Sequence, residues 1–298
     1  MTAVWMKASA WQRAAARNDQ RRLLKLIQET DATMVDIVSD TAKKSERLIA
    51  RSVGGKGIGA QVRLAQYRQV RSSMFQLATD MWGDQVPAAV LNGIDTSSQM
   101  AVNAQKEMLA FLSKIAPDAA SMLVESMRHS AAQTFESLRS RLLNGVNLSP
   151  NVYRNRAYMM GKIDSIVNEG ILLQQSAKEI ADNVYQHINP KVVGGQKYAA
   201  MRLGRTELNN AYHSTSIRSY QQSPYVEGVQ WSLSGSHAKP DDCDAYAGDD
   251  SYNMGTGVFP TNNVPDKPHP QCFCFITAIT PDPDEFLRRL QRGEYNCG

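Results

Sequence analysis

From Asn18 to Ala50, apolar and small positions recur every three or four residues, at Leu23, Ile27, Thr30, Met34, Ile37 and Thr41. That spacing lines them up as one narrow stripe on an α-helix, suited to packing on a single neighbour. It predicts one long helix or a broken pair. Four glycines within Ser52–Gly59 then interrupt the pattern and predict a flexible hinge over residues 52–60. Helical spacing resumes from Gln61 to Trp82 through Val62, Val70, Met74, Leu77 and Met81. Asp95 to Ile115 and Pro117 to Leu143 read as two further helices, the second with proline at the permitted first-turn position.

Residues 144–151, rich in Asn, Gly and Ser, mark a boundary, and Ser149 before Pro150 signals a new helix. That helix carries Ile163, Ile166 and Val167 and is expected to stop at Gly170. Ser176 and Glu179 form a capping box ahead of Ile180, Val184 and Ile188, so the two helices make a hairpin. Gln196 to Gln222 predicts the next helix, which holds Arg205, Thr206 and Glu207. Arg205 and Glu207 are two apart, about 200° around the axis, and so act on opposite sides. Glu207 shares a side with Leu203 and Ala211, and is expected to be a structural glutamate bonded to a backbone end or a basic partner.

The period then changes from helical to alternating. Val229 to Leu233 and Cys272 to Ile279 read as strands, joined by a long loop, Asp241 to Pro268, that Tyr246, Tyr252 and Phe259 could pin. Its acidic run fails as a calcium hand, because Tyr246 and Ala247 stand where a ligand and a glycine are needed. Asp282 to Glu285 caps a terminal helix over 282–292 with Phe286, Leu287 and Leu290. The fold class is therefore mainly α with a small C-terminal α+β domain. The organisation is a helical region over 1–143, then a domain over 144–298 with helices 150–222, a small sheet and long loop 226–280, and the terminal helix.

Composition narrows the classes. The chain has 298 residues, 42% hydrophobic and 21% charged, ordinary for a soluble protein of two domains. No apolar run is long enough to span a membrane, and the start lacks a compact secretion signal. The net charge of +4 conceals a gradient. Residues 1–80 carry 14 Lys and Arg against 7 Asp and Glu, whereas residues 231–298 carry 5 against 10. A basic N-terminal region can contact duplex DNA through its phosphates without sequence preference, although such charges also serve simply as a solvated helix face. Thirteen methionines offer adaptable packing, for a core or for an interface.

All four cysteines fall late in the chain, three of them within Val229 to Ile279, which fits a reduced compartment with metal or core thiols; Cys297 reads as a free thiol. Cys272 and Cys274, two apart on an extended segment, should point the same way. His269 lies between two prolines, which stiffen its approach, and Cys243 could close over the same spot. Cys243, His269, Cys272 and Cys274 thus form a candidate structural zinc set, with His237 as an alternative ligand, because thiolate and imidazole are the usual donors to tetrahedral zinc. The alternative is two buried thiols packed as small hydrophobes.

Arg205-Thr-Glu207, Val229-Gln-Trp231, Asp242-Cys-Asp244, Gly255-Thr-Gly-Val-Phe-Pro260 and His269-Pro-Gln-Cys-Phe-Cys274 occur in an order that resembles the Mu F-like head morphogenesis family of tailed bacteriophages. The resemblance covers about residues 145–280. It implies a minor head protein, made in the host cytoplasm and incorporated during procapsid assembly, with a place in the head interior or at the portal vertex of the virion. Implied partners are the portal protein and a scaffold or the major capsid protein, with a part in DNA packaging or ejection; the basic N-terminal surplus adds the expectation of non-specific contact with double-stranded DNA, and no membrane and no enzymatic activity are expected. Arg205, Thr206, Glu207 and Trp231 carry over as structural motif residues. Two other classes remain open: a metal-dependent nuclease built on His269, Cys272 and Cys274 among the aspartates, and a phage-delivered effector.

Overall fold

The computed structural model describes residues 6–52, 60–113, 133, 136, 149–173, 175–237 and 239–295. The glycine run at 53–59, the predicted helix Pro117 to Leu143 apart from residues 133 and 136, most of the boundary at 144–151, and Cys297 lie outside the described residues. The architecture is mainly helical with one small antiparallel sheet near the C-terminus, as the hydrophobic periods predict. The helices are α1 (Ala10–Ser52), α2 (Ala60–Thr79), α3 (Val86–Ser113), α4 (Ser149–Leu172), α5 (Ala177–Ile188), α6 (Gln196–Gln221), α7 (Asp242–Gly248) and α8 (Pro283–Gln291). The strands are β1 (Gly228–Ser232), β2 (Val258–Phe259) and β3 (Phe275–Ile279). Contacts gather the chain into two compact units, and not by a single cut near residue 143. One comprises Met1–Ile27, Gly93–Leu138 and Arg205–Gly298, the other Gln28–Asn92 and Arg139–Gly204.

The second unit is helical. Its part of α1 buries Thr30, Met34, Val38, Thr41 and Ala42, so Val38 and not Ile37 continues the stripe. The apolar residues of α5, Ile180, Val184 and Ile188, are all buried, and the capping box is formed: the Ser176 hydroxyl accepts from the Glu179 amide while the Glu179 carboxylate accepts from the Ser176 amide. Met34, Met74, Met81 and Met159 lie wholly inside, so these methionines fill a core. Trp82 is also fully buried, and its indole donates to Gln196 Oε1 at 2.9 Å.

Two expected helix ends are absent. α2 runs through a wide π turn, Asp80–Gln85, directly into α3, so no break separates Trp82 from Asp95. Proline at 87 cannot donate to the turn before it, and a π turn is one way to absorb that loss without ending the helix. Gly170 does not stop α4, which continues to Leu172. A Cβ at Gly170 would overlap the Ile180 side chain, so this glycine permits the close approach of α4 and α5.

The first unit carries the sheet, in the order β2-β1-β3, with both pairs antiparallel. Register places Val229 opposite Ala278 and Trp231 opposite Ile276 on one face, which joins Tyr220, Tyr225, Cys243, Cys272, Cys274 and Phe286 in the main core. The other face, with Val258 and Ile279, is covered by Met6 and Ala8. The N-terminal segment is tied there by Met6 N to Met254 O at 2.7 Å and by the Gln12 amide to Thr280. The supposed loop from Asp241 to Pro268 contains α7, β2 and a 3-10 turn at Thr261–Asn263. Asp241 caps α7 through the Cys243 amide at 2.8 Å, a start signal hidden by the short length of the helix. β3 begins at Phe275, so Cys272 and Cys274 precede the strand and are not part of its ladder.

Candidate metal centre

Three short elements deliver the candidate ligands. Cys243 is held in the first turn of α7, His237 lies on the connection from β1 to that helix, and His269, Cys272 and Cys274 lie on the approach to β3. The turn before β3 is unusual, because Gln271 adopts φ of 59°, a conformation that a residue with a side chain rarely takes. Helix α6 holds it there. The Gln271 amide donates to Thr206 Oγ1 at 3.3 Å, and Arg205 donates to Gln271 Oε1 at 3.2 Å. Two members of the Arg-Thr-Glu triplet therefore grip the turn that presents His269 and Cys272.

Cys243, Cys272, Cys274, His237 and His269 lie close together and could hold a metal ion. Two overlapping triplets, His237 with Cys243 and Cys274, and Cys243 with His269 and Cys272, each have all ligand atoms within 4.8 Å of one another. Cys243 Sγ is 3.4 Å from Cys272 Sγ and 3.5 Å from His269 Nε2, and Cys274 Sγ is 3.8 Å from His237 Nδ1. Two zinc–sulfur bonds of about 2.3 Å at a tetrahedral angle separate their sulfurs by about 3.8 Å, and a sulfur and a nitrogen by about 3.5 Å. The donors fit that spacing.

The two histidines differ in what holds their second nitrogen. His237 turns Nδ1 to the thiols while Nε2 meets Asp244 Oδ2 at 2.8 Å, the arrangement in which a carboxylate fixes the tautomer of a metal-binding imidazole. His269 Nε2 faces both Cys243 and Asp241 Oδ2, the latter at 3.1 Å, and its Nδ1 faces Pro270 O at 3.1 Å. A neutral imidazole donates from only one nitrogen, so only one of these two contacts is a hydrogen bond at a time.

Without a dication, two of the three thiols resist ionisation. Burial pushes the Cys243 thiol up to about 12 and helps raise that of Cys274, whose first cause is Cys272, while hydrogen bonding from Cys274 lowers that of Cys272. Lys267 donates to Cys274 O and lies over the Trp231 ring. Burial lowers its ammonium and the three thiols pull it back up. A dication held by three thiolates and an imidazole has a charge of −1, which a buried ammonium neutralises; a buried cation beside three neutral thiols has no such partner.

Trp231 forms the wall behind this centre, edge-on to His213 and Tyr246 at 5.7 and 5.2 Å. Tyr252 packs on Phe259 at 6.0 Å, so all three expected aromatic pins make ring contacts. His213, given no role by the sequence, is buried, bonded to Pro265 O at 2.9 Å, and lowered to about 3 chiefly by desolvation. It is a neutral bolt between α6 and the long connection. A histidine on a helix that faces a tryptophan on a strand 18 residues later has no local signature in the sequence. Glu207 is buried beside Leu203 and Ala211 as expected, but no basic partner is found for it among the described residues; desolvation pushes its carboxyl up to about 7.

No family model, no curated protein and no solved structure matches this chain. The described helices include none long and apolar enough to cross a membrane.

Proposed function

We propose that the chain is a structural protein of phage head assembly, of the Mu F-like minor head class, whose C-terminal module is stapled by one zinc ion. The observation that supports it is convergence: Arg205, Thr206, Trp231, Cys243, His269, Cys272 and Cys274, drawn from four of the five motifs that carry the resemblance, gather about one centre. The fifth, Gly255 to Pro260, supplies β2 and the Gly257 carbonyl that accepts from the Trp231 amide at 2.8 Å. A centre of three thiolates and an imidazole leaves no coordination site for substrate, which favours a structural role over a metal-dependent nuclease.

The fourth ligand is His237, through Nδ1, because Asp244 already orients its ring; His269 stays with Asp241 and Pro270 O. Protein purified without chelator should contain one zinc per chain. His237→Ala should lose the ion, while His269→Ala keeps it, and cobalt substituted for zinc should show intense thiolate charge-transfer bands. Well under one zinc per chain would overturn the metal reading. The phage reading is tested separately, by co-purification with portal oligomers; a chain that ignores portal in a pull-down and turns over a substrate would replace it. Contact with duplex DNA, if the basic N-terminal surplus is used for it, should be independent of sequence and fall steeply with salt. Part of that surplus is engaged internally, since Arg22 pairs with Glu107 at 2.8 Å and Arg71 with Asp164.

A further inference from the structure

One end of the helical unit carries large apolar side chains that no core covers. Tyr158 on α4 is 63% exposed, Val192 and Val193 in the connection after α5 are 37% and 99% exposed, and Tyr198 in the first turn of α6 is 48% exposed. All four lie about the C-terminus of α5. The Tyr158 ring meets that of His187 at 6.0 Å, the Val192 amide donates to Asn189 O at 3.0 Å in the turn that leaves the helix, and Gln196 at the start of α6 reaches His187 Nε2 at 3.4 Å. Gly161 follows Tyr158 by one turn, and a Cβ there would meet nothing within 4 Å, so a step lies open beside the ring. Single exposed apolar residues are ordinary, whereas a group of them at one spot marks an interaction surface.

Charge at the same end says what fits it. Arg154 and Lys162 stand one turn before and one turn after Tyr158, Lys191 precedes the two valines, and Lys197 precedes Tyr198. Burial, and after it Lys162, lower the His187 imidazole, which places that lysine beside the ring Tyr158 touches. None of these four cations is in an ion pair among the described residues. Carboxylates are missing from both stretches of sequence that build this end, Ser149 to Ile163 and Asn183 to Thr206, and Asp164, next along α4, is paired with Arg71. The surface is therefore an apolar and aromatic centre with an uncompensated positive rim.

We propose that this end of the helical unit docks an acidic amphipathic helix of a partner protein, its apolar residues on Tyr158, Val193 and Tyr198 and its carboxylates on Arg154, Lys162, Lys191 and Lys197. A helix with apolar anchors every three or four residues and Asp or Glu beside them complements both parts of the surface, and the charges would set its orientation and speed the encounter. Duplex DNA would satisfy the lysines but lay charged phosphates against Val192 and Val193. A bilayer would take the valines, but two aliphatic side chains bury little area for stable insertion. The surface is distant in sequence from every metal ligand, so its test is independent of the zinc ion and of the phage reading.

Fluorescence anisotropy on the full chain tests this with a labelled helical peptide of about five turns that carries leucine every three or four residues on one face and glutamate elsewhere. The peptide should bind saturably, and its affinity should fall as salt is raised. Exchanging its glutamates for glutamine should weaken binding about tenfold, and so should Val193→Asp, or Tyr158→Ser together with Tyr198→Ser, in the chain. Leu172→Asp introduces the same charge at an apolar side chain of 82% exposure, at the far end of α4, and should leave binding unchanged. Circular dichroism and thermal melting verify that each variant is folded. Absence of saturable binding, unchanged affinity in Val193→Asp, or an equal loss in Leu172→Asp would each overturn the proposal. Tighter, Val193-dependent binding of a short DNA duplex or of phosphatidylserine vesicles would overturn it too, and would give the surface to nucleic acid or to a membrane.

Discussion

Glu207 is the clearest case of a single residue whose chemistry follows from its burial. Its folded carboxyl is raised to about 7 from the ordinary carboxylate range, so the fold prefers the protonated form. The associated stability is full below the unfolded pKa and is lost as pH rises through the folded one, that is, between about pH 4.5 and 7. Glu207→Gln should therefore stabilise the chain at pH 8 by about 2–3 kcal/mol and have little effect at pH 4, as read by denaturant unfolding at the two pH values. The sequence placed Glu207 on the side of Leu203 and Ala211 by helical spacing alone. It could not foresee the missing cation, because a partner distant in sequence leaves no local pattern. Gln271 shows the same limit: nothing nearby announces a positive φ, which exists because Arg205 and Thr206, 66 and 65 residues earlier, hold that turn. Replacing Arg205 by Ala and Thr206 by Val together should loosen zinc retention at least tenfold in a competition with a chromophoric chelator, with the helical content unchanged.

Two glycines of α4 separate local preference from packing. Gly170 sits against Ile180, whereas a Cβ at Gly161 would meet nothing within 4 Å. Gly170→Ala should destabilise the helical unit by about 1–3 kcal/mol through overpacking. Gly161→Ala should stabilise it by about 0.5–1 kcal/mol through helix propensity, and thermal melts of the two variants should move in opposite directions. A sequence reader sees two helical glycines and takes the later as a stop signal. The distinction is tertiary. The same applies to α7, too short for a hydrophobic period to register, and to β2, two residues whose strand character comes only from pairing with β1. Long elements with a complete apolar face, such as α5 with its capping box, were legible because the signal repeats over several turns.

At the level of the molecule, the first unit draws on both ends of the chain. Ala8 donates to Gln230 Oε1 at 3.2 Å, and the N-terminal segment covers the sheet face opposite the cysteine cluster. If zinc binding is part of the folding free energy of this unit, chelator should open residues 228–281 to proteolysis and release the N-terminal segment with them. α4 and α5 should stay protected, as limited proteolysis with mass mapping would show. Cys274→Ala should mimic the chelator, whereas thiols that merely pack would cost about 1–2 kcal/mol on truncation and ignore chelator.

Hydrophobic period determined the long helices among the described residues, most of their buried faces and the late switch to strands, because each depends on residues within a few turns of one another. The clustering of cysteine and histidine also showed which residues could meet. Tertiary structure alone decided that both histidines reach the thiols, that Asp244 orients one of them, and that Lys267 is buried beside them. It also decided that the first residues of the chain complete the last sheet. Those contacts join positions up to 268 apart in sequence, where no local propensity acts and only the closing of a shared core brings side chains together.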